Sequence, residues 1–142
     1  MRIWVDNNQF ILGIAGSDPA SEALMKLLPY LDVVLPRIVL KEVTRNLNHL
    51  QAKALYKLFH FSLSILIIEE PVPVDLARNY IELGLREKGD AIIGAFAEWQ
   101  WVDYVISENR HFLRELQSKA FEVLSPNEFL QRYYASTIDK EQ

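Results

Sequence analysis

Acids suited to hydrolytic chemistry occur in four separated stretches of this sequence: Asp6 in Val5-Asp6-Asn7-Asn8, Glu42 after Pro36, Asp90 in Gly89-Asp90-Ala91-Ile92-Ile93, and Glu108 beside Asn109. Oxygen donors without a His or Cys partner suit hard divalent ions such as Mg²⁺ or Mn²⁺. Carboxylates gathered in one place repel unless a cation sits among them. Such an ion holds phosphate oxygens, makes bound water a better nucleophile and stabilises charge developing on a phosphoryl group. The chemistry implied is hydrolysis of a phosphodiester or another phosphate ester.

Other chemistries fit poorly. The absence of cysteine removes disulfides, thiol nucleophiles, Cys-based zinc sites and iron–sulfur clusters. His49, His60 and His111 lack any metal-motif spacing, so neither a zinc site nor a Ser-His-Asp triad is supported. Five glycines spell neither GxGxxG nor a Walker loop, which disfavours a nucleotide cofactor.

Positioning those acids requires a scaffold, and the sequence spells one. Five runs read as strands: Ile3 to Val5, Asp32 to Leu35, Ile65 to Ile68, Tyr104 to Ile106 and Phe121 to Leu124. Most are apolar at consecutive positions, the pattern of parallel strands buried on both faces. Helical spacing connects them. Pro36 opens a helix carrying Ile38, Val39, Val43 and Leu47. Further helices hold Leu55 to Phe59, Leu76 to Ile81, Ala91 to Trp99 and Phe112 to Leu116. Ser125-Pro126-Asn127-Glu128 is a capping box that starts the last helix. The expected fold is α/β, three layers with a central parallel sheet of four or five strands, in one domain over residues 1–135. A frayed polar tail is expected over 136–142.

In such a sheet, ligands bind beyond the carboxyl ends of the strands, near the point where strand order reverses. Asp6 and Ser107-Glu108-Asn109 directly follow strands. The helices bearing Glu42 and Asp90 must start on that same edge. Each residue has an ordinary structural duty too: Asp6 and Asp90 suit helix caps, Ser107 a cap and Asn109 a turn. Glu42 lies near Lys41 and Arg45 and suits a solvated helix face. Four independent caps need not converge on one edge. Asp18 reads as turn chemistry beside Pro19, Asp32 and Asp103 as strand-entry residues on the opposite edge, and Asp75 as a first-turn helix residue.

With 142 residues, half of them hydrophobic, the chain is long enough to bury a core without cross-links. A net charge of −4 argues against a broad grip on nucleic acid phosphates, so any such contact is local or cation-assisted. The N-terminus lacks the apolar region of a signal peptide and no run is long enough to span a bilayer. A cytoplasmic protein with no membrane association is expected.

In their order and spacing, these motifs resemble the PIN-domain nuclease family, which includes the toxins of VapBC-type toxin–antitoxin pairs. Val5-Asp6-Asn7-Asn8 is similar to its opening strand and Asp-x-Asn, and Pro36 to Leu47 to its helix bearing a Glu. Gly89 to Ile93 is similar to its Asp-Ala-x-Ile helix start, and Val105 to Phe112 to its strand followed by Thr/Ser-x-Asp/Asn-x-x-Phe. The resemblance runs from Ile3 to about Leu130. It implies an Mg²⁺- or Mn²⁺-dependent endoribonuclease with Asp6, Glu42, Asp90 and Asn109 as catalytic residues. Asp6 and Asp90 would hold the metal, Glu42 would hold it or orient its water, and Glu108 is the only carboxylate present to stand in for the family's fourth acid. Asn8 and Ser107 would fix the carboxylates by hydrogen bonds, and Arg86, Lys88 and Arg110 would meet RNA phosphates. An antitoxin partner and a homodimer are further implications.

Two other functions remain open on the sequence. One is a catalytically weakened RNA- or protein-binding module, favoured by the missing fourth Asp. The other is a Mg²⁺-binding phosphoacceptor domain, disfavoured because the middle strand runs into Glu69-Glu70-Pro71 with no Asp at its end.

Overall fold

The computed structural model describes residues 1–62, 64–83, 88–116 and 120–141, with the backbone alone for 88, 111, 112 and 139–141. Five strands form one parallel sheet: β1 (Arg2–Val5), β2 (Asp32–Pro36), β3 (Ile65–Ile68), β4 (Tyr104–Ile106) and β5 (Glu122–Leu124), in the order β3-β2-β1-β4-β5. Register is set by pairs such as Ile3 with Val33, Trp4 with Val105, and Val105 with Val123. Ile3, Trp4, Val5, Val33, Val34, Leu35, Val105 and Ile106 are all buried, which is why the central strands read as unbroken apolar runs.

Helices fill the connections: α1 (Asn7–Ala15), α2 (Pro19–Leu27), α3 (Arg37–Arg45), α4 (His49–Phe61), α5 (Val74–Glu82), α6 (Lys88–Trp99), α7 (His111–Glu115) and α8 (Pro126–Glu141). They pack as two sets. In one, α1 touches α2, α3 and α4, and α2 touches α8. In the other, α6 touches α5 and α7. The result is the three-layer α/β/α architecture, with the core on both faces of the sheet. α8 continues through Glu141, so residues 136–141 extend a helix instead of standing outside it as a tail.

Two of these helices have no counterpart among the sequence expectations. α1 is capped by Asp6, whose side chain accepts from the Asn7 N–H, and it ends at Gly16 with φ 70°. α2 is capped by Asp18, whose Oδ2 accepts from the Ser21 N–H at 3.1 Å and its hydroxyl at 2.5 Å. Asp18 is thus a helix N-cap with Pro19 at the first helical position, where the sequence suggested a turn.

The chain runs from β1 outward to β3, returns across the sheet to β4, and runs outward again to β5. Strand order therefore reverses between β1 and β4. At their amino ends, Arg2 joins both neighbours: its N–H donates to Asp103 Oδ2 at 2.8 Å and its Nε to Asp32 Oδ2 at 3.2 Å. That bond set engages Asp32 and Asp103 on the strand-entry edge. Asp6 stands at the opposite edge, directly after β1.

Candidate active site

β1 stays paired to β4, and β4 to β5, to their last residues and slightly beyond. The Asp6 N–H donates to the Ile106 carbonyl at 3.0 Å, and the Ser107 N–H to that of Leu124 at 2.9 Å. This fixes the backbone of Asp6 and Ser107 side by side at the switch point. The Ser107 hydroxyl then donates to Asp6 Oδ2 at 2.8 Å, and the Asn109 N–H donates to Ser107 Oγ at 3.2 Å. Asp6, Ser107 and Asp90 are buried, with Asp6 only 1 % and Asp90 only 3 % exposed.

Asp90 arrives on the first turn of α6. Between it and Asp6 lies the guanidinium of Arg110. Nε donates to Asp6 Oδ2 and Nη2 to Asp6 Oδ1, both at 3.2 Å, while Nη1 donates to Asp90 Oδ1 at 2.8 Å. Burial alone would lower the Arg110 pKa. The hydrogen bonds and charges of Asp6 and Asp90 outweigh that and raise it above the usual arginine value. Two buried carboxylates are thereby neutralised in part by one cation, as desolvated charges require.

Glu42, half-buried on α3, is one residue further out. Asn7 Nδ2 donates to Glu42 Oε2 at 2.7 Å, which links the second acid-bearing helix to the residue that follows Asp6. Asn7, Glu42 and Arg110 also line a cavity of about 280 Å³ whose walls include Trp4, Ile38, Val39, Ile93 and Phe96. The indole N–H of Trp4 is buried without a hydrogen-bond partner among the described residues.

The other expected residues fall as follows. Asn8 is exposed, and it is Asn7 that bonds an acid. Glu108 is exposed, and its charge helps raise the pKa of Arg114, after the hydrogen bond and charge of Glu128 and the charge of Glu122. Asn109 is exposed and meets the site through its backbone N–H. Arg86 and the side chain of Lys88 lie outside the described residues. Among the described residues, no three of His, Cys, Asp and Glu stand close enough together to form a metal-holding group. What the fold assembles is a pair, Asp6 with Asp90, and a third acid joined to it through Asn7.

A pair fits a magnesium-like ion. Mg²⁺ is commonly held by one or two carboxylates, with water and substrate phosphate filling the rest of its octahedron. The place between Asp6 and Asp90 already attracts a positive group, and the groups that these two side chains offer an ion are carboxylate oxygens.

No family model matches the chain, and no curated protein matches it. Solved structures do. FitAcB from Neisseria gonorrhoeae is similar at a TM-score of 0.58 and 20 % identity, over 87 % of this chain and 97 % of that one. VapBC2 from Rickettsia felis, bound to a DNA fragment from their promoter, is similar at 0.56 and 19 %, again over 87 % and 97 %. The fold is the one these structures share. At such identities the likeness is one of architecture, and it agrees with the PIN-like arrangement expected from the sequence. No helix among the described residues is long and apolar enough to cross a membrane.

Proposed function

We propose that this chain is a divalent-metal-dependent endoribonuclease that hydrolyses RNA phosphodiester bonds, acting as the toxin of a toxin–antitoxin pair. The observation that carries the reading is the pair of buried carboxylates, Asp6 and Asp90, brought by separate elements to the switch point and drawn onto one cation. Asp6 and Asp90 would hold Mg²⁺ or Mn²⁺. Bound there, the ion supplies a Lewis acid for the phosphate and a more acidic water.

The chain's own residues prepare the rest. Ser107 fixes the rotation of the Asp6 carboxylate, and the Asn109 N–H fixes Ser107. Asn7 holds one oxygen of Glu42 and leaves Oε1 to orient the attacking water. Arg110, which bonds both acids from the solvent side, would be the cation that meets a substrate phosphate. Glu108 and the side chain of Asn109 have no part in this arrangement.

The antitoxin partner rests on the sequence resemblance to VapBC-type toxins and on the name of the VapBC2 structure. The homodimer rests on the family resemblance. A second reading, a binding module that keeps the fold without turnover, draws on the missing fourth Asp of the sequence motif and on there being no group of three metal-holding side chains among the described residues.

Cleavage of a mixed single-stranded RNA by the purified protein in Mn²⁺, Mg²⁺ or EDTA tests the proposal, beside an Asp6→Asn, Asp90→Asn double variant. Metal-dependent cutting that is lost in the variant supports it. RNA binding that persists in EDTA, with no cutting in any metal, sinks it in favour of the binding module.

A further inference from the structure

One guanidinium reaches three carboxylate oxygens here: both of Asp6 and Oδ1 of Asp90, at 2.8 to 3.2 Å. The carboxylates are almost fully buried, at 2 % and 4 % side-chain exposure, while Arg110 keeps 24 %. The positive charge therefore enters from the solvent side, carried by a residue that lies between β4 and α7 and belongs to neither. It stands where an ion shared by the two acids would have to stand. A guanidinium and a divalent cation a few ångströms apart repel strongly in a partly desolvated site, so both do not occupy it together.

We infer that Arg110 is the resident counter-cation of the Asp6 and Asp90 pair, that a divalent ion enters by displacing it, and that the released guanidinium then receives a phosphate of the substrate. The inference rests on the metal-site reading above and gives that site a control. Without metal the acids are neutralised in part and the arginine is engaged. With metal the arginine is free, at the mouth of the cavity that Asn7, Glu42 and Arg110 line. Metal uptake and phosphate binding are then coupled, because the affinity of each is lowered by the fraction of molecules in the closed, ion-paired state.

The coupling has a specific consequence. Removing the arginine's charge removes the competitor, so metal affinity rises even though a contact of the site has been deleted. A residue with a purely structural role would do the reverse, loosening the acids and weakening the ion.

The test is a calorimetric titration of Mn²⁺ into the full chain, its Arg110→Gln variant and its Arg110→Lys variant, each checked for folding by circular dichroism. The expected result is affinity at least fivefold tighter in Arg110→Gln than in the unsubstituted protein, with Arg110→Lys close to the unsubstituted value. Equal or weaker binding by a folded Arg110→Gln overturns the inference and leaves the metal site standing. No Mn²⁺ binding by any of the three overturns the metal reading itself. Should Arg110→Gln fail to fold, the arginine Nε–H resonances of ¹⁵N-labelled unsubstituted protein decide, followed during titration with diamagnetic Mg²⁺. The Arg110 signal is expected to shift and lose its protection from solvent exchange, and a signal unmoved at saturating Mg²⁺ overturns the inference.

Discussion

The Ser107 hydroxyl donates to Asp6 Oδ2 at 2.8 Å, and both residues are buried at the carboxyl ends of adjacent strands. One short bond therefore sets the rotation of a carboxylate that also caps α1 and accepts from Arg110. Asp6 has two oxygens for three demands, so its orientation leaves little slack.

Ser107→Ala should cost about 1 to 2 kcal/mol, since it strips a hydrogen bond from a buried charged oxygen. It should weaken metal binding as well, because that carboxylate then rotates more freely. Urea unfolding in EDTA measures the first effect and Mn²⁺ titration the second. Ser107→Thr, which keeps the hydroxyl, should retain most of both. A stable Ser107→Ala with unchanged Mn²⁺ affinity would show that the bond positions nothing.

Gly94→Ala should destabilise the helix that delivers Asp90. A Cβ there would stand 2.7 Å and 2.8 Å from ring carbons of Tyr80 on α5, closer than packed carbons approach. Overpacking of this kind costs about 1 to 3 kcal/mol, against about 1 kcal/mol returned by the better helix propensity of alanine. A net loss of up to about 2 kcal/mol in urea unfolding is expected. Stabilisation instead would mean that α5 and α6 separate easily.

How far the sequence shows this site depends on which physical signal each part leaves. The strands left a strong one, because Ile3 to Val5 and Val33 to Leu35 are buried on both faces and cannot alternate with polar residues. α1 left a weak one: Gln9 is a fully buried polar residue on its inner face, and Asp6, its cap, serves the site as well. α2 carried the same cap-then-proline signature that reveals α8, in Asp18-Pro19 and Ser125-Pro126 alike, and was legible on that ground. The acids at the strand ends followed from topology. Neither the choice of Asn7 over Asn8 nor the insertion of Arg110 between the acids followed. Both depend on side-chain direction in short segments, where one residue's step turns a group from the site to solvent.

Glu128 makes stability depend on pH in a definite direction. The hydrogen bond from Arg114 is the main reason its pKa is lowered, opposed by partial burial and helped by Ser125, which also completes the capping box of α8. A carboxylate with a lowered folded pKa adds stability above its unfolded value, and that share disappears as pH falls through the folded one. Glu128→Gln should therefore cost less than about 1 kcal/mol at neutral pH, as exposed pairs do. The deficit should shrink below about pH 4, where unfolded glutamate protonates. Parallel urea curves for the two proteins from neutral to acid pH measure this. A deficit that grows on acidification would contradict the assignment.

Trp101 closes α6 in a conformation usually left to glycine. Its φ is 58°, its N–H donates to the Glu98 carbonyl, and the next N–H, of Val102, donates to that of Ala97. These two bonds form the Schellman ending of a helix, with Trp101 at the left-handed position and buried Val102 as its apolar partner. Trp101 is 84 % exposed, so packing offsets little of the backbone cost. That cost is about 1 to 2 kcal/mol for a residue with a Cβ, and the extra freedom of glycine in the unfolded chain returns about 0.4 to 1 kcal/mol of it. Trp101→Gly should therefore stabilise the protein by about 0.5 to 1 kcal/mol, raising the urea midpoint with the slope unchanged. It should leave Mn²⁺ binding as it is, because Trp101 precedes β4 while Asp6 and Ser107 follow the far ends of β1 and β4. If Trp101→Gly proves destabilising instead, the indole makes a contact that outweighs the strain, and the strand-entry edge would then be the place to look for it.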